Sequence, residues 1–276
     1  MPHLVAFSHP LVSIKMKIAS WNVNSLRVRI DHVKDWLEQN QPDLLCLQEL
    51  KMPDEEFPSQ ALEECGYYSA STGQKTYNGV AIISKKPLQN VVTDLPDFED
   101  PQRRYIAGDY PINDNGDTLR IVNVYVPNGQ ALDSDKFIYK RAWFAKLQAA
   151  MRNTLNENSN TVLVGDFNIT PSDLDVHDPK KWNGSIHCSD IERLMLQKLM
   201  SEGLFDTFRN FNSNGDTFSW WDYRGAGYRA NEGLRIDLIL SSSAMLDAAH
   251  NCIIDETPRK LERPSDHTPV VAEYTL

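Results

Sequence analysis

A chain of 276 residues with ordinary globular composition can bury a sizeable core, and its formal net charge of -10 excludes a protein that coats a polyanion with its whole surface. Four scattered cysteines, Cys46, Cys65, Cys188 and Cys252, form no CxxC pair, which excludes a thiolate metal centre and a disulfide framework and points to a reducing, cytoplasmic setting. No apolar stretch approaches the length that spans a bilayer, so no membrane partner is expected, and any nucleic-acid partner must be held by a local site.

Residues 1–15, MPHLVAFSHPLVSIK, are mildly apolar, lack a basic start and are broken by Pro10. They read as an N-terminal extension rather than a signal peptide. Residues 16–276 read as a single domain, with no internal repeat and no Pro/Gly/Ser linker to divide it.

From Met16, MKIASWNV reads as a strand ending at Asn22, after which Leu26, Ile30, Val33 and Leu37 recur at helical spacing. The run PDLLCLQE ends in the polar Gln48 and Glu49, and GYYSAST and NGVAIIS read as paired strands. LRIVNVYVPNG is a strand ending near Asn128, followed by a helix whose Phe144, Leu147, Met151 and Leu155 share a face. TVLVGDFN is a further strand, and a long polar loop runs from Pro171 to about Gly184. The next helix, DIERLMLQKLMSEG, has Asp190 as its expected cap and Gly203 as its stop. An aromatic, arginine-rich segment then leads to two last strands, LRIDLILSS and TPVVAEYTL.

Polar residues occupy a pattern of strand ends. Asn22, Glu49, Asn128 and Asp166 close their runs, whereas Asp237, Asp266 and His267 open theirs. For all of them to meet at one edge, later strands must oppose earlier ones, which predicts mixed or antiparallel sheets rather than a doubly wound parallel one.

These residue types suit phosphodiester hydrolysis, which needs a hard cation, a positioned water and donors for developing charge. Glu49, with Asn22 nearby, offers the sparse oxygen set that Mg2+ prefers. Asp166 and Asn168, two apart on an extended backbone, would share a face, one orienting water and the other donating to a phosphate oxygen. His267 supplies a cation near neutral pH, with Asp237 as its orienting acid. A serine-hydrolase reading fails because no G-x-S-x-G elbow is present. In FSWWDYRGAGYR, Arg224 and Arg229 would meet phosphates and Trp221 would stack on bases or sugars, although one of Trp220 and Trp221 equally suits the core. Taken singly, each motif fits a turn or a strand end.

Together, and in this order and spacing, IASWNVNSLR, LLCLQELK, NVYVPNG, LVGDFNITPSDLD, FSWWDYRGAGYRANEGLRIDLIL and PSDHTPVV resemble the exonuclease III family of abasic-site endonucleases and 3'-exonucleases, within the wider endonuclease/exonuclease/phosphatase superfamily. The resemblance implies an α/β fold of the DNase I-like kind, a four-layer α/β sandwich with two mixed β-sheets packed face to face and helices outside. It implies dependence on Mg2+ or Mn2+, with Glu49 the principal metal ligand, Asn22 close by and Asp266 at the metal site, often through water. It further implies that Asp166 positions or activates water, that Asn168 and Tyr125 contact the scissile phosphate, and that the Asp237–His267 pair stabilises it. Asn128 joins Arg224, Arg229 and Trp221 as an expected DNA contact. One departure is Asn24, where some members of the family carry an acid, which weakens that position as a metal ligand.

The activity so implied is hydrolysis on the 5' side of abasic sites, with 3'-5' exonuclease and 3'-end-cleaning action, by a cytoplasmic monomer on double-stranded DNA with abasic sites or blocked 3' ends. Two alternatives keep the fold: a phosphoesterase of small molecules or lipid head groups, and a DNA-binding protein that has lost catalysis.

Overall fold

The computed structural model describes residues 13–276, so most of the expected N-terminal extension lies outside the described residues. In chain order the first strands are β1 (Lys15–Asn22), β2 (Leu44–Gln48), β3 (Tyr68–Thr72), β4 (Val80–Ser84), β5 (Gln89–Val92), β6 (Tyr105–Pro111) and β7 (Thr118–Tyr125). They are followed by β8 (Thr161–Asp166), β9 (Leu204–Asp206), β10 (Trp220–Trp221), β11 (Gly233–Leu234), β12 (Asp237–Ser242), β13 (Ala249–Ile254) and β14 (Val270–Thr275). The helices that matter for the site are α1 (Leu26–Asn40), α2 (Ser59–Glu63), α3 (Asp135–Glu157), α4 (Pro179–Trp182) and α5 (Asp190–Met200).

Two six-stranded sheets result, ordered β13-β14-β1-β2-β4-β3 and β5-β6-β7-β8-β12-β9. Both are mixed. β1 runs parallel to β2 and antiparallel to β14, and β8 runs parallel to β7 and antiparallel to β12. The late strands therefore oppose the early ones, as the placement of polar ends requires.

Ile18, Cys46, Ile82, Ile121, Val164, Ile239 and Val270 project between the sheets into one buried core. The outer face of one sheet is covered by α1 through Val33, Trp36 and Leu37, and that of the other by α3 and α5 through Phe144, Leu147, Met151, Leu196 and Leu199. The result is the expected four-layer sandwich. Because each central strand is covered on both faces, β2 and β8 are apolar without alternation, and all their residues are buried.

Several local expectations shift. The first strand begins at Lys15, where the Ile14 N–H and carbonyl already pair with Leu276. α5 is capped by Ser189 rather than Asp190: the Ser189 side chain accepts from the Glu192 N–H while Glu192 reaches back, a reciprocal capping box. The polar loop after β8 is not featureless; it holds a turn at Asp173–Asp175 and α4. β5, β6, β9 and β13 carry no clean periodicity, β6 being interrupted by Gly108 and Pro111, and their pairing partners define them.

The entry to β12 is held by buried charge. Arg235 is fully buried, with Nε 2.6 Å from Asp175 Oδ1 and Nη2 2.6 Å from Asp206 Oδ2, while Arg209 also pairs with Asp175. Burial alone would raise the Asp175 carboxyl, but the two guanidinium groups outweigh it and hold it below the usual range. Removing one partner of such a set leaves a buried charge uncompensated. We expect Arg235→Leu to cost about 3–5 kcal/mol in urea unfolding. A loss below about 1 kcal/mol would show that the network does not anchor this entry.

Candidate active site

β1, β2, β8, β12 and the segment before β14 bring their polar ends to one edge of the sandwich. Register does this directly, because Asp237 pairs opposite Asp166 across β12 and β8, and Asn22 lies opposite Gln48 across β1 and β2. Gly165, just before Asp166, lets β7 approach: a Cβ there would lie 1.9 Å from the Val124 carbonyl oxygen.

His267 is the hub. Its Nδ1 is 2.8 Å from Asp237 Oδ2, and its Nε2 is 3.7 Å from Asp166 Oδ2. At the short contact the Nδ1 N–H donates to the Asp237 carboxylate, which leaves the Nε2 N–H on the side of Asp166. Burial pulls the imidazole toward the neutral form, but the carboxylates of Asp237 and Asp166 outweigh that and raise it to about 10. Asp237 is further held by the Ser219 hydroxyl at 2.7 Å.

Asp166 is buried, which raises its carboxyl to about 7 even though His267 and the Asn22 amide favour the anion. Its Oδ1 accepts from the Asn168 N–H at 2.9 Å. That contact corrects the expected extended geometry: β8 ends at Asp166, and Asn168 turns back at φ +50 so that both side chains converge through a turn. The Asn168 amide nitrogen donates to the Val126 carbonyl at 3.0 Å, and its oxygen accepts from Asn128 at 3.1 Å.

Asn22 corrects a second expectation. Its oxygen accepts from the Asn24 N–H at 2.9 Å, so the face it shows the site is its amide nitrogen, 2.9 Å from both Glu49 Oε1 and Asp166 Oδ2. A nitrogen donor cannot ligate a hard cation, so here Asn22 bridges the two carboxylates. Tyr125 lies beside them, and burial, then Glu49 and Asp166, push its hydroxyl well above the ordinary phenol range.

Ligand atoms of Glu49, Asp166 and His267 lie within 4.8 Å of one another. The chemistry of this set favours a cation on oxygen: His267 is committed to Asp237 as an imidazolium, while Glu49 stays half-buried and already draws the Lys51 ammonium to 2.8 Å. Asp266 is not in that trio. Its oxygens accept from Asn24 at 2.8 Å and from the Trp220 indole at 3.1 Å, which sets it one residue further out.

The aromatic segment corrects one more expectation. Trp221 is fully buried, donating to Asn231 at 3.1 Å and lying 5.1 Å edge-on from Tyr228, so it cannot stack on a base. Neighbouring strand residues point to opposite faces, so Trp220 is the ring beside the site, 6.5 Å from His267. Arg224 and Arg229 are exposed on the same loop, Arg224 paired with Asp222. Asn128 is exposed at the rim, and a cleft of ≈ 590 Å3 opens there, lined in part by Tyr77, Arg104, Tyr125, Gln130 and Lys136.

Sequence reasoning missed Lys51, Lys140 and His187 around this site. Lys140 did leave a signal, a lysine standing in the apolar stripe of α3 between Phe137 and Phe144.

Residues 19–267 match the model of the Endonuclease/Exonuclease/phosphatase family. The chain is 37% identical to exodeoxyribonuclease III of Haemophilus influenzae over 94% of this chain and 100% of that protein. A solved Neisseria 3' phosphatase bound to a product DNA hairpin superposes with a TM-score of 0.90 at 48% identity, covering 94% of this chain and 99% of that one. An AP endonuclease from Archaeoglobus fulgidus superposes with a TM-score of 0.87 at 33% identity, covering 94% and 99% respectively.

The raised His267 has a measurable consequence in metal-free protein. A group whose folded pKa is above its unfolded value adds stability that is complete below pH 6.5 and fades as pH rises toward about 10. Nitrogen NMR shifts of the imidazole are expected to report a doubly protonated ring at pH 8. A neutral ring at that pH would overturn the assigned balance of charges.

Proposed function

The chain belongs to the exonuclease III branch of the endonuclease/exonuclease/phosphatase family, and on that premise we propose that it is a metal-dependent DNA-repair nuclease. Its reaction is hydrolysis of the phosphodiester on the 5' side of abasic sites, leaving a 3'-hydroxyl, together with 3'-5' trimming and removal of blocking groups from 3' ends. The single observation that carries the reading is the convergence of Asp166, Asn168, Tyr125, Glu49 and the Asp237–His267 pair at one edge of the sandwich, where an acid, a cation and neutral donors can surround one phosphate.

Glu49 would hold the divalent cation, Mg2+ or Mn2+, with Asp266 on its outer side. When bound, such a cation withdraws charge from the phosphoryl oxygens.

The protein's own groups account for the rest. Asp166, tuned to about 7, is matched to accept a proton from water near neutral pH. Asn22 and the Asn168 N–H fix the orientation of that carboxylate. Water oxygen bonds to phosphorus as the bond to the departing 3'-oxygen breaks in line, and that oxygen takes a proton from solvent to become the 3'-hydroxyl. The His267 Nε2 N–H, cationic and held by Asp237, faces the negative charge that builds on the phosphate, and the Tyr125 hydroxyl and Asn168 amide add neutral donors.

The substrate is double-stranded DNA, taken up by a monomer in the cytoplasm. Trp220, Arg224 and Arg229 flank the site on one side, and the cleft with Arg104, Asn128 and Lys136 on the other, so a charged strand meets local cations despite the acidic whole. This distribution favours a polymeric substrate over a small phosphoester.

The test uses three labelled duplexes, one with an internal abasic-site analogue, one with a 3'-phosphate and one undamaged, each with Mg2+ and with EDTA. Metal-dependent incision at the analogue and release of the 3'-phosphate are expected. Survival of all three, with turnover of a small phosphoester, would leave the family chemistry standing and remove DNA as the substrate. In the same assay His267→Ala should lower turnover by about 10²–10³-fold with unchanged circular dichroism, and near-normal activity would remove its assigned role.

A further inference from the structure

Lys140 and Glu192 are both fully buried, joined at 2.5 Å between α3 and α5. A buried pair of this kind is costly to desolvate, and packed apolar residues would usually serve stability as well or better. Its bonding shows where the charge is directed. The ammonium has three protons and three acceptors: Glu192 Oε1, the Asn128 carbonyl at 3.1 Å and the Asn168 carbonyl at 2.8 Å. Glu192 is held from behind by the Ser189 hydroxyl at 2.6 Å.

Two of those three acceptors belong to the loops that follow β7 and β8, the loops that form the rim of the site. His187 ties the same two residues, its Nδ1 2.7 Å from the Asn168 carbonyl and its Nε2 3.3 Å from the Asn128 amide. Burial and the nearby Lys140 lower the His187 imidazole to about 4, so it stays neutral and can donate through one nitrogen while accepting through the other. The residue so restrained, Asn168, sits at φ +50, a left-handed conformation that asparagine tolerates and that turns its side chain back toward Asp166.

We propose that Lys140, backed by Glu192, is a positioning residue for phosphodiester hydrolysis: it clamps the carbonyls of Asn128 and Asn168 and so aims the Asn168 amide at the scissile phosphate. It does not touch substrate itself. The inference rests on the reading of this edge as a phosphodiester-hydrolysing site.

The experiment separates position from stability. Lys140→Met/Glu192→Leu removes both charges at similar volume but leaves the Ser189 cap and the Asn128 and Asn168 carbonyls without their partners, so it should fold with a lowered melting temperature and is assayed well below it. Turnover on the abasic and 3'-phosphate duplexes at saturating metal should nevertheless fall about 10–100-fold in kcat. KM should stay within about twofold, because a misaimed amide weakens the transition state more than the bound substrate. A second variant, Lys140→Gln/Glu192→Gln, leaves no buried charge and keeps a donor near the carbonyls, so it should fold and recover part of the lost kcat. Wild-type kcat in a folded Lys140→Met/Glu192→Leu variant, or in Lys140→Gln/Glu192→Gln should the first not fold, overturns the positioning role. Wild-type protein that cuts no duplex would instead sink the nuclease reading, and the positioning claim with it.

Discussion

Two carboxylates face each other inside a protein core. Asp166 and Asp237 are register partners on neighbouring antiparallel strands, both buried, and like charges so placed repel strongly in a low-dielectric interior. What makes the arrangement tenable is His267, whose imidazolium lies against Asp237 and near Asp166, with Ser219 and Asn22 supplying further donors. Each of these groups enters from a different element, so the charge balance holds only while the two sheets, the β10–β11 hairpin and the segment before β14 are all in place. Chemistry and fold thus depend on the same contact.

The backbone around this cluster carries the signature of a site whose side chains are aimed by their surroundings. Asn24, Glu49, Lys51 and Asn168 all have positive φ. Asparagine tolerates this region, but for Glu49 and Lys51 it costs about 1–3 kcal/mol each and persists only where neighbours over-determine it. The neighbours can be named: Asn22 holds Glu49 and the Asn24 N–H, Lys51 bridges Glu49 and the Asn24 side chain, and Lys140 with His187 holds Asn168. With Asn24 where an acid would otherwise stand, Lys51 finds a neutral oxygen there, and Glu49 remains the carboxylate best placed for a cation.

The buried charges differ in what they secure. Arg235 with Asp175 and Asp206 fixes where β12 begins, and hence where Asp237 stands. Lys140 with Glu192 ties together the loops that follow β7 and β8. The two ion pairs thus add to the hydrogen bonds that Asn22, Ser219 and Lys51 make within the site itself.

Much of this was legible in the chain. Strand ends bearing Asn22, Glu49, Asp166, Asp237 and His267 specified mixed sheets and one shared edge, because strand periodicity and the need to gather polar groups are local properties read directly from residue order. Sequence also named the Asp237–His267 pair, since an acid between Ile236 and Leu238 needs a partner. Tertiary structure decided what spacing could not. Which of two adjacent tryptophans faces the core depends on what packs over the loop, and Arg259 and Tyr228 cover Trp221. Which atom of Asn22 faces Glu49 depends on the Asn24 N–H that claims its oxygen. Lys140 is visible as a lysine in the apolar stripe of α3, but what it holds, like what His187 holds, lies on segments distant in sequence and adjacent only after folding.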